Sequence, residues 1–303
     1  MSSPNVTPKR VQRTHSENIA LLRQQCEEPP CAAVKNRWKS LKQQNIVALK
    51  QRSTAWFKFR RGRFTGSKWS NFFFLDGEED YHLLRDRTFG HIDVNTAKRV
   101  FAANEIFDDV SKARMAYGTR FEDNAAADFL FRAPKCIGLE ASILQHPSID
   151  YLASSPDGTI QIHDPVHNTF DVVAFEIKCP SMKLDKRSGI WKHKSISSPI
   201  WYYLPQVIME MVATGTTAAI FQVWNCERHK YWYIPWNDAF YQKMLTLVAA
   251  FKDDSVSYAE FTYLKNILTQ YAKLICKDCP AIHHKHRRGF VSKYVDGDFS
   301  FDS

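Results

Sequence analysis

Three side chains near the middle of the chain are of types that could do chemistry together. Asp157 lies in Ser155-Pro156-Asp157-Gly158, a turn sequence that feeds a strand-like run over Thr159–His163. Glu176 and Lys178 lie further on, in Phe175-Glu176-Ile177-Lys178-Cys179. Residues two apart in a strand share a face, so Glu176 and Lys178 point one way while Phe175, Ile177 and Cys179 point the other, toward a core. If the two strands form a hairpin, Asp157 approaches Glu176. Two carboxylates at close range repel unless a cation lies between them, and hard oxygen ligands favour Mg²⁺ or Mn²⁺. A lysine beside such an ion can position or deprotonate water, or stabilise charge developing on a phosphate. Those parts suit phosphodiester hydrolysis. Each also has a plainer role: an acid–lysine pair is common on a solvated sheet face, and a turn aspartate can cap its own backbone.

Other polar side chains add to this group. A helical pattern from about Gly118 aligns Gly118, Phe121, Ala125, Ala126 and Phe129 along one stripe, and Glu122 falls on the same face. A carboxylate there needs a cation, an arginine or a metal as partner. Gln206 follows Pro205 and is able to orient water or contact a phosphate; helix packing is its ordinary role. Lys183, Lys186, Arg187, Lys192 and Lys194 surround Trp191. They suit a DNA backbone or plain solvation equally. Cys276-x-x-Cys279 with His283, His284 and His286 has a zinc-like look, but Lys285, Arg287 and Arg288 stand among them, and a basic tail is the reading we adopt.

The elements that must position these groups follow from periodicity. Residues 1–18 are polar, carry Pro4 and Pro8 and show no period, which predicts disorder. Helical patterns run from Ile19 and again over 33–50, on either side of Pro29-Pro30. Residues 96–131 read as helices joined at Tyr117-Gly118-Thr119. Strands are expected at 139–145, 149–153, 159–163 and 170–179, with Pro180 ending the last. Lys183–Lys194 reads as a loop. A helix with Pro205 in its first turn runs to Gly215 as C-cap, a hairpin spans 217–235, and residues 238–277 are helical. The order predicts an α/β fold, a central mixed sheet flanked by helices. Its expected division is a basic N-terminal extension (1–50), a main domain (51–252) and a helical C-terminal segment with a basic tail (253–303).

Composition bounds the rest. The chain has 303 residues, 44% of them hydrophobic, enough for one large α/β domain. The net charge of +9 favours a polyanionic partner. It is uneven, with fifteen Lys and Arg against three acids in residues 1–70. Aromatics make up 14%, suiting a Phe-rich core or base stacking. The odd count of seven Cys, scattered without a framework, points to reduced intracellular thiols. The first residues lack the apolar run of a secretory signal, and no stretch approaches the roughly 20 apolar residues needed to span a bilayer. A soluble intracellular protein without a membrane partner is expected.

Five motifs occur in one order: Trp56-Phe57-Lys58-Phe59-Arg60-Arg61-Gly62-Arg63-Phe64-Thr65-Gly66-Ser67, then Gly118-Thr119-Arg120-Phe121-Glu122, Ser155-Pro156-Asp157-Gly158, Glu176-Ile177-Lys178-Cys179-Pro180 and Tyr203-Leu204-Pro205-Gln206. Together they resemble the YqaJ-type recombinase nucleases, which include phage lambda exonuclease and the alkaline nucleases of large DNA viruses, within the PD-(D/E)XK superfamily. The resemblance spans about residues 52–215. It implies a restriction-endonuclease-like core and a 5′-to-3′ DNA exonuclease acting at duplex ends with Mg²⁺, for which Mn²⁺ can substitute. Asp157 and Glu176 would be metal ligands, joined by the backbone carbonyl of Ile177. Lys178 would be the catalytic lysine, and Glu122 a further acid reaching the metals through water. Arg60 and Ser67 match the positions that hold the 5′-phosphate, and Gln206 the first glutamine of a Gln-x-Gln helix motif. The resemblance further implies viral or phage recombination, a single-strand annealing or binding partner, and the nucleus or cytoplasm of an infected cell; some relatives also act on RNA.

The sequence departs from the family pattern in three places. Ile208 replaces the second glutamine, Gly66 replaces the usual alanine, and the Asp157–Glu176 spacing is longer, with an extra turn at 163–168. Two alternatives stay open: a DNA or RNA endonuclease using the same site, and a DNA-binding recombination accessory whose nuclease site has decayed. Ile208 favours the accessory; Asp157, Glu176 and Lys178 argue against it.

Overall fold

The computed structural model describes Leu49 and residues 53–90, 109–133, 137–139, 142–164, 169–181, 183–185, 190–192, 198–225, 229–279, 281–285, 291–295 and 298–302. The expectations for residues 1–48 and 96–108 and for the 165–168 turn lie outside these.

The basic-aromatic stretch folds first into a short helix α1 (Thr54–Arg60), a two-residue strand β1 (Phe64–Thr65) and helix α2 (Lys68–Phe73). Half of the eight rings over Trp56–Phe74 serve the core: Phe64, Trp69, Phe72 and Phe73 are buried. Helix α3 (Glu78–Phe89) follows, ended by Gly90 in the left-handed region at φ 79°. Helix α4 (Asp109–Arg132) is continuous through Gly118, where a joint between helices was expected. Gly118 faces the strand end instead of breaking the helix; a Cβ there would stand 3.7 Å from the Cys179 carbonyl oxygen.

The expected strand at 139–145 divides into β2 (Ile137–Leu139) and β3 (Leu144–Gln145), which join different sheets. The next expected strand, 149–153, is shorter and later, as β4 (Leu152–Ser154), because His146 organises the turn before it. Its Nδ1 accepts from the backbone N–H of Ser148 (3.1 Å) and Ile149 (3.0 Å), so Nε2 carries the proton and donates to the Tyr241 hydroxyl at 2.6 Å. Then come β5 (Gly158–Asp164) and β6 (Thr169–Lys178), close to the bounds predicted. The stretch read as a loop carries a small hairpin, β7 (Lys183–Asp185) and β8 (Ile190–Lys192).

A 3₁₀ turn (Trp201–Tyr203) leads into helix α5 (Leu204–Thr214), with Pro205 in its first turn and Gly215 as left-handed cap at φ 64°. The hairpin β9 (Ala218–Trp224) and β10 (His229–Pro235) follows. Helices α6 (Asp238–Asp253) and α7 (Tyr258–Asp278) are capped by the Asn237 and Ser257 side chains. Where a basic tail was expected, the chain forms β11 (Ala281–Lys285), β12 (Val291–Val295) and β13 (Asp298–Asp302).

The main sheet has eight strands in the order β12-β13-β11-β10-β9-β6-β5-β2. It is mixed: β6–β9 and β11–β13 are parallel and the other pairs antiparallel. Alternation sends Phe175 and Ile177 of β6 to one face, against Ala125 and Phe129 of α4. Ala174 on the opposite face joins the larger core built by α2, α3, α5, α6 and α7. Phe261, Leu268, Ala272 and Cys276 of α7 belong to that core too. Helices therefore cover both faces, as the fold class predicted. A second, three-stranded sheet has the order β1-β4-β3. No helix among the described residues is long and apolar enough to cross a membrane.

Candidate active site

Strand β6 carries Glu176 and Lys178 on one face, and its partner brings in Asp157. The register pairs Gly158 with Phe175, so Asp157, one step before β5, stands opposite the Glu176–Ile177 segment. The Ile177 N–H donates to Asp157 Oδ2 at 2.7 Å. Lys178 Nζ donates to Glu176 Oε1 and lies 4.7 Å from the Tyr203 ring centre. From α5, Gln206 Nε2 donates to Glu176 Oε1 (2.6 Å) and to Glu210 Oε1 (2.9 Å). Glu176 and Glu210 are 0% exposed, and apart from the contact between these two carboxyls the second oxygen of each has no hydrogen-bond partner among the described residues.

That arrangement concentrates negative charge. Burial, then the nearby Glu176 carboxylate, raises Asp157 well above the usual carboxylate range, against the pull of Lys178 and the Ile177 N–H. Burial and Glu210 raise Glu176 likewise. Burial pushes Glu210 up to about 8, although hydrogen bonds with Glu176 and Gln206 draw it back. Burial works against the Lys178 ammonium, but Glu176 and Asp157 outweigh it and hold the group well above its ordinary value, so it is protonated near neutral pH. The Lys178 ammonium is paired with Glu176, and one ammonium does not offset this many acids. These are oxygen donors of the kind a hard divalent cation takes, and Asp157, Glu176 and the Ile177 carbonyl are the groups that could hold one. Among the described residues no three His, Cys, Asp or Glu side chains form a metal cluster by themselves, so water would complete the shell.

A cavity of about 350 Å³ opens beside these groups, lined by Gly118, Glu122, Ile177, Lys178, Tyr202 and Tyr203 among others. Glu122 is thus brought to the site, half-buried on α4, and its charge helps raise Asp157. Gln206 also arrives, but as a bridge between two carboxylates. Ile208 points away and is fully buried in the larger core.

Arg60 and Ser67 form a second cluster. Arg60 Nη2 donates to Thr65 Oγ1 (2.9 Å) and Ser67 Oγ (2.6 Å), and the guanidinium lies 4.2 Å from the Trp56 ring centre. Burial lowers Arg60 to about 10, which leaves it a cation near neutral pH. Lys68, which donates to the Arg63 carbonyl at 2.9 Å, is lowered to about 7 by burial and by Arg60 and Arg87. Strand β1 pairs with β4 in parallel, Thr65 beside Ala153, so this cluster stands next to the strand that runs into Ser155-Pro156-Asp157.

Gly66 joins the two clusters. A Cβ there would meet Ser154 Oγ at 2.8 Å and Gln206 Cγ at 3.0 Å. The alanine usual at this position would crowd both atoms here. Gly66→Ala is expected to cost about 1–3 kcal/mol by overpacking. Ser154→Ala should restore part of it, since the Ser154 hydroxyl is buried without a hydrogen-bond partner. Urea unfolding of the single and double variants checks this; a Gly66→Ala protein as stable as wild type would contradict it.

Sequence reasoning missed Glu210. Its signal was a lone acid inside the apolar run Val207–Met211, four residues after Gln206. Cys276, half of the zinc-like spacing, is buried in the α7 core with its thiol raised by burial, while burial pushes Cys279 up to about 12.

The mixed sheet covered by helices, with an acid in a turn and an acid-x-lysine on the adjoining strand, defines a PD-(D/E)XK-type α/β fold. The family model of the YqaJ-like viral recombinase domain matches residues 55–217, more than half of the 303-residue chain, and the chain belongs to that family. Two solved structures are similar: an alkaline exonuclease (LHK-Exo) from Laribacter hongkongensis, and LHK-Exo in complex with dAMP. Each is 24% identical, covers 73% of this chain and 100% of its own, and has a TM-score of 0.45. No curated protein matches.

Proposed function

We propose that this protein is a divalent-metal-dependent DNA exonuclease that hydrolyses phosphodiester bonds from the 5′ ends of linear duplexes. The observation that carries the reading is the convergence of Asp157, Glu176 and the Lys178 ammonium beside one cavity. Family membership agrees with it. Asp157, Glu176 and the Ile177 carbonyl would hold Mg²⁺ or Mn²⁺, which when bound supplies water activation and charge neutralisation at the phosphate. Lys178, held as an ammonium against Glu176, would face negative charge developing on the scissile phosphate. Gln206 fixes the Glu176 carboxylate, and Glu122 supplies a further acid at the cavity wall. Arg60 and Ser67 would grip a terminal 5′-phosphate by a guanidinium fork and a hydroxyl, with the buried Thr65 hydroxyl orienting Arg60. Such an enzyme would resect DNA ends in recombination, replication or repair.

The test is digestion of a 5′-phosphorylated linear duplex with Mg²⁺, beside a closed circle and a chelator control. The linear duplex should be degraded to nucleotides, the circle should survive, and the chelator should stop the reaction. A circle cut as fast as the linear form would mean an endonuclease, and no cleavage of either would favour a DNA-binding accessory. Arg60→Ala should lower the rate on 5′-phosphorylated ends about 10- to 100-fold, from the lost charge-assisted hydrogen bonds, and erase the difference from 5′-hydroxyl ends. A variant that kept the preference would separate Arg60 from that role.

A further inference from the structure

The cavity has an aromatic approach that the hydrolytic groups do not use. Phe74, the C-cap residue of α2, is 61% exposed although its neighbour Phe73 is buried. Its ring stands 5.2 Å from Tyr202 and 6.1 Å from Trp201, centre to centre. Phe73 supports the group from below, 5.2 Å from Trp201. Tyr202 itself lines the cavity beside Lys178. Cations accompany the rings: Lys273 Nζ is 5.1 Å from the Trp201 ring centre, and Arg114 is exposed on the cavity wall.

Leaving a phenyl ring in water forgoes the gain of burying it, though single exposed rings are ordinary on protein surfaces. Here three contacting rings are continuous with a cavity that ends at an ammonium. Exposed ring surface at Phe74, beside the edge-to-face Tyr202 and the cations Lys273 and Arg114, matches one chemistry: a nucleic-acid strand with unpaired bases. A duplex presents its bases stacked and its phosphates outward, so it would meet only the cations.

The geometry points to Phe74, Trp201 and Tyr202 as a stacking ledge for unpaired bases of the DNA strand whose backbone enters the Lys178 cavity. This deepens, and rests on, the nuclease reading above. The ledge would hold the terminal nucleotides out of the duplex and so keep the scissile phosphate in reach.

The experiment uses the full chain in chelator, so that binding is read without cleavage. The probe is a linear duplex with two unpaired nucleotides at its 5′ end, one of them 2-aminopurine. Wild type should quench the 2-aminopurine emission. Phe74→Ala should lose most of that quenching and bind about 10-fold more weakly, the typical loss of one base–aromatic stack. Phe74→Trp should restore both. Tyr263→Ala, a control at a ring 65% exposed on α7, should match wild type. Phe74→Ala that quenches and binds within two-fold of wild type would overturn the proposal. So would unchanged DNA binding with a lowered melting temperature, which would mean that another segment of the chain covers the ledge. If wild type quenches the probe and Phe74→Ala does not, yet no duplex is cleaved with Mg²⁺, the ledge stands and the hydrolytic reading falls.

Discussion

Glu176→Gln should abolish hydrolysis, with a loss of about 10³-fold or more, equivalent to about 4 kcal/mol of transition-state stabilisation. The substitution keeps the shape of the side chain and removes its charge. Oε1 of the new amide can still accept from Gln206, so the α5 contact survives. What disappears is the charge on the carboxylate proposed to hold the divalent ion, paired in the wild type with Lys178. Folding should change little. The variant loses the Lys178 ion pair but also loses the repulsion that, with burial, holds the Glu176 and Asp157 carboxyls above their usual range. The melting temperature should stay within about 4 °C of wild type. Single-turnover cleavage of an end-labelled duplex, run beside a melt, checks both halves. Retained cleavage would remove Glu176 from the mechanism, and a protein that failed to fold would show that the Lys178 pair dominates.

Lys178→Met is expected to cost about 10²- to 10³-fold in hydrolysis, the scale for removing one preorganised electrostatic contact to developing charge. Methionine keeps the unbranched stem against Tyr203 but not the ammonium. The two variants should differ in an informative way. Glu176→Gln removes a metal ligand, whereas Lys178→Met removes a cation that competes for the same carboxylates. Divalent affinity should therefore hold or rise in Lys178→Met while the rate falls. A Lys178→Met enzyme that recovered near wild-type rates when Mg²⁺ was raised would show that the lysine acts only by orienting Glu176.

Much of this centre was legible in the sequence because its constraints are local. Period-two alternation over Phe175–Cys179 placed Glu176 and Lys178 on one face, and the structure sends Phe175 and Ile177 into the α4 core as that pattern requires. Pro205 and Gly215 marked the bounds of α5 because each fits a backbone position few other residues tolerate. What escaped was non-local. Gly118 read as a break; its lack of a side chain instead lets α4 approach the end of β6. Glu210 drew no reading at all; only the packing of α5 on β6 shows that Gln206 ties it to Glu176. The 139–145 run read as one strand because composition does not say which of two sheets a residue will join. The high aromatic content suited either a Phe-rich core or base stacking, and over Trp56–Phe74 the rings divide, with Phe64, Trp69, Phe72 and Phe73 buried and Phe57 and Phe74 exposed.

The central claim is that Asp157 and Glu176 together hold one divalent ion. Titration of Mn²⁺ into wild type, Asp157→Asn, Glu176→Gln and Lys178→Met, with free Mn²⁺ followed by electron paramagnetic resonance, tests it most directly. Wild type and Lys178→Met should bind the ion, and each carboxylate variant should bind at least about 10-fold more weakly, a loss of about 1.4 kcal/mol. Asp157→Asn and Glu176→Gln proteins that are folded and bind Mn²⁺ as tightly as wild type would contradict the account.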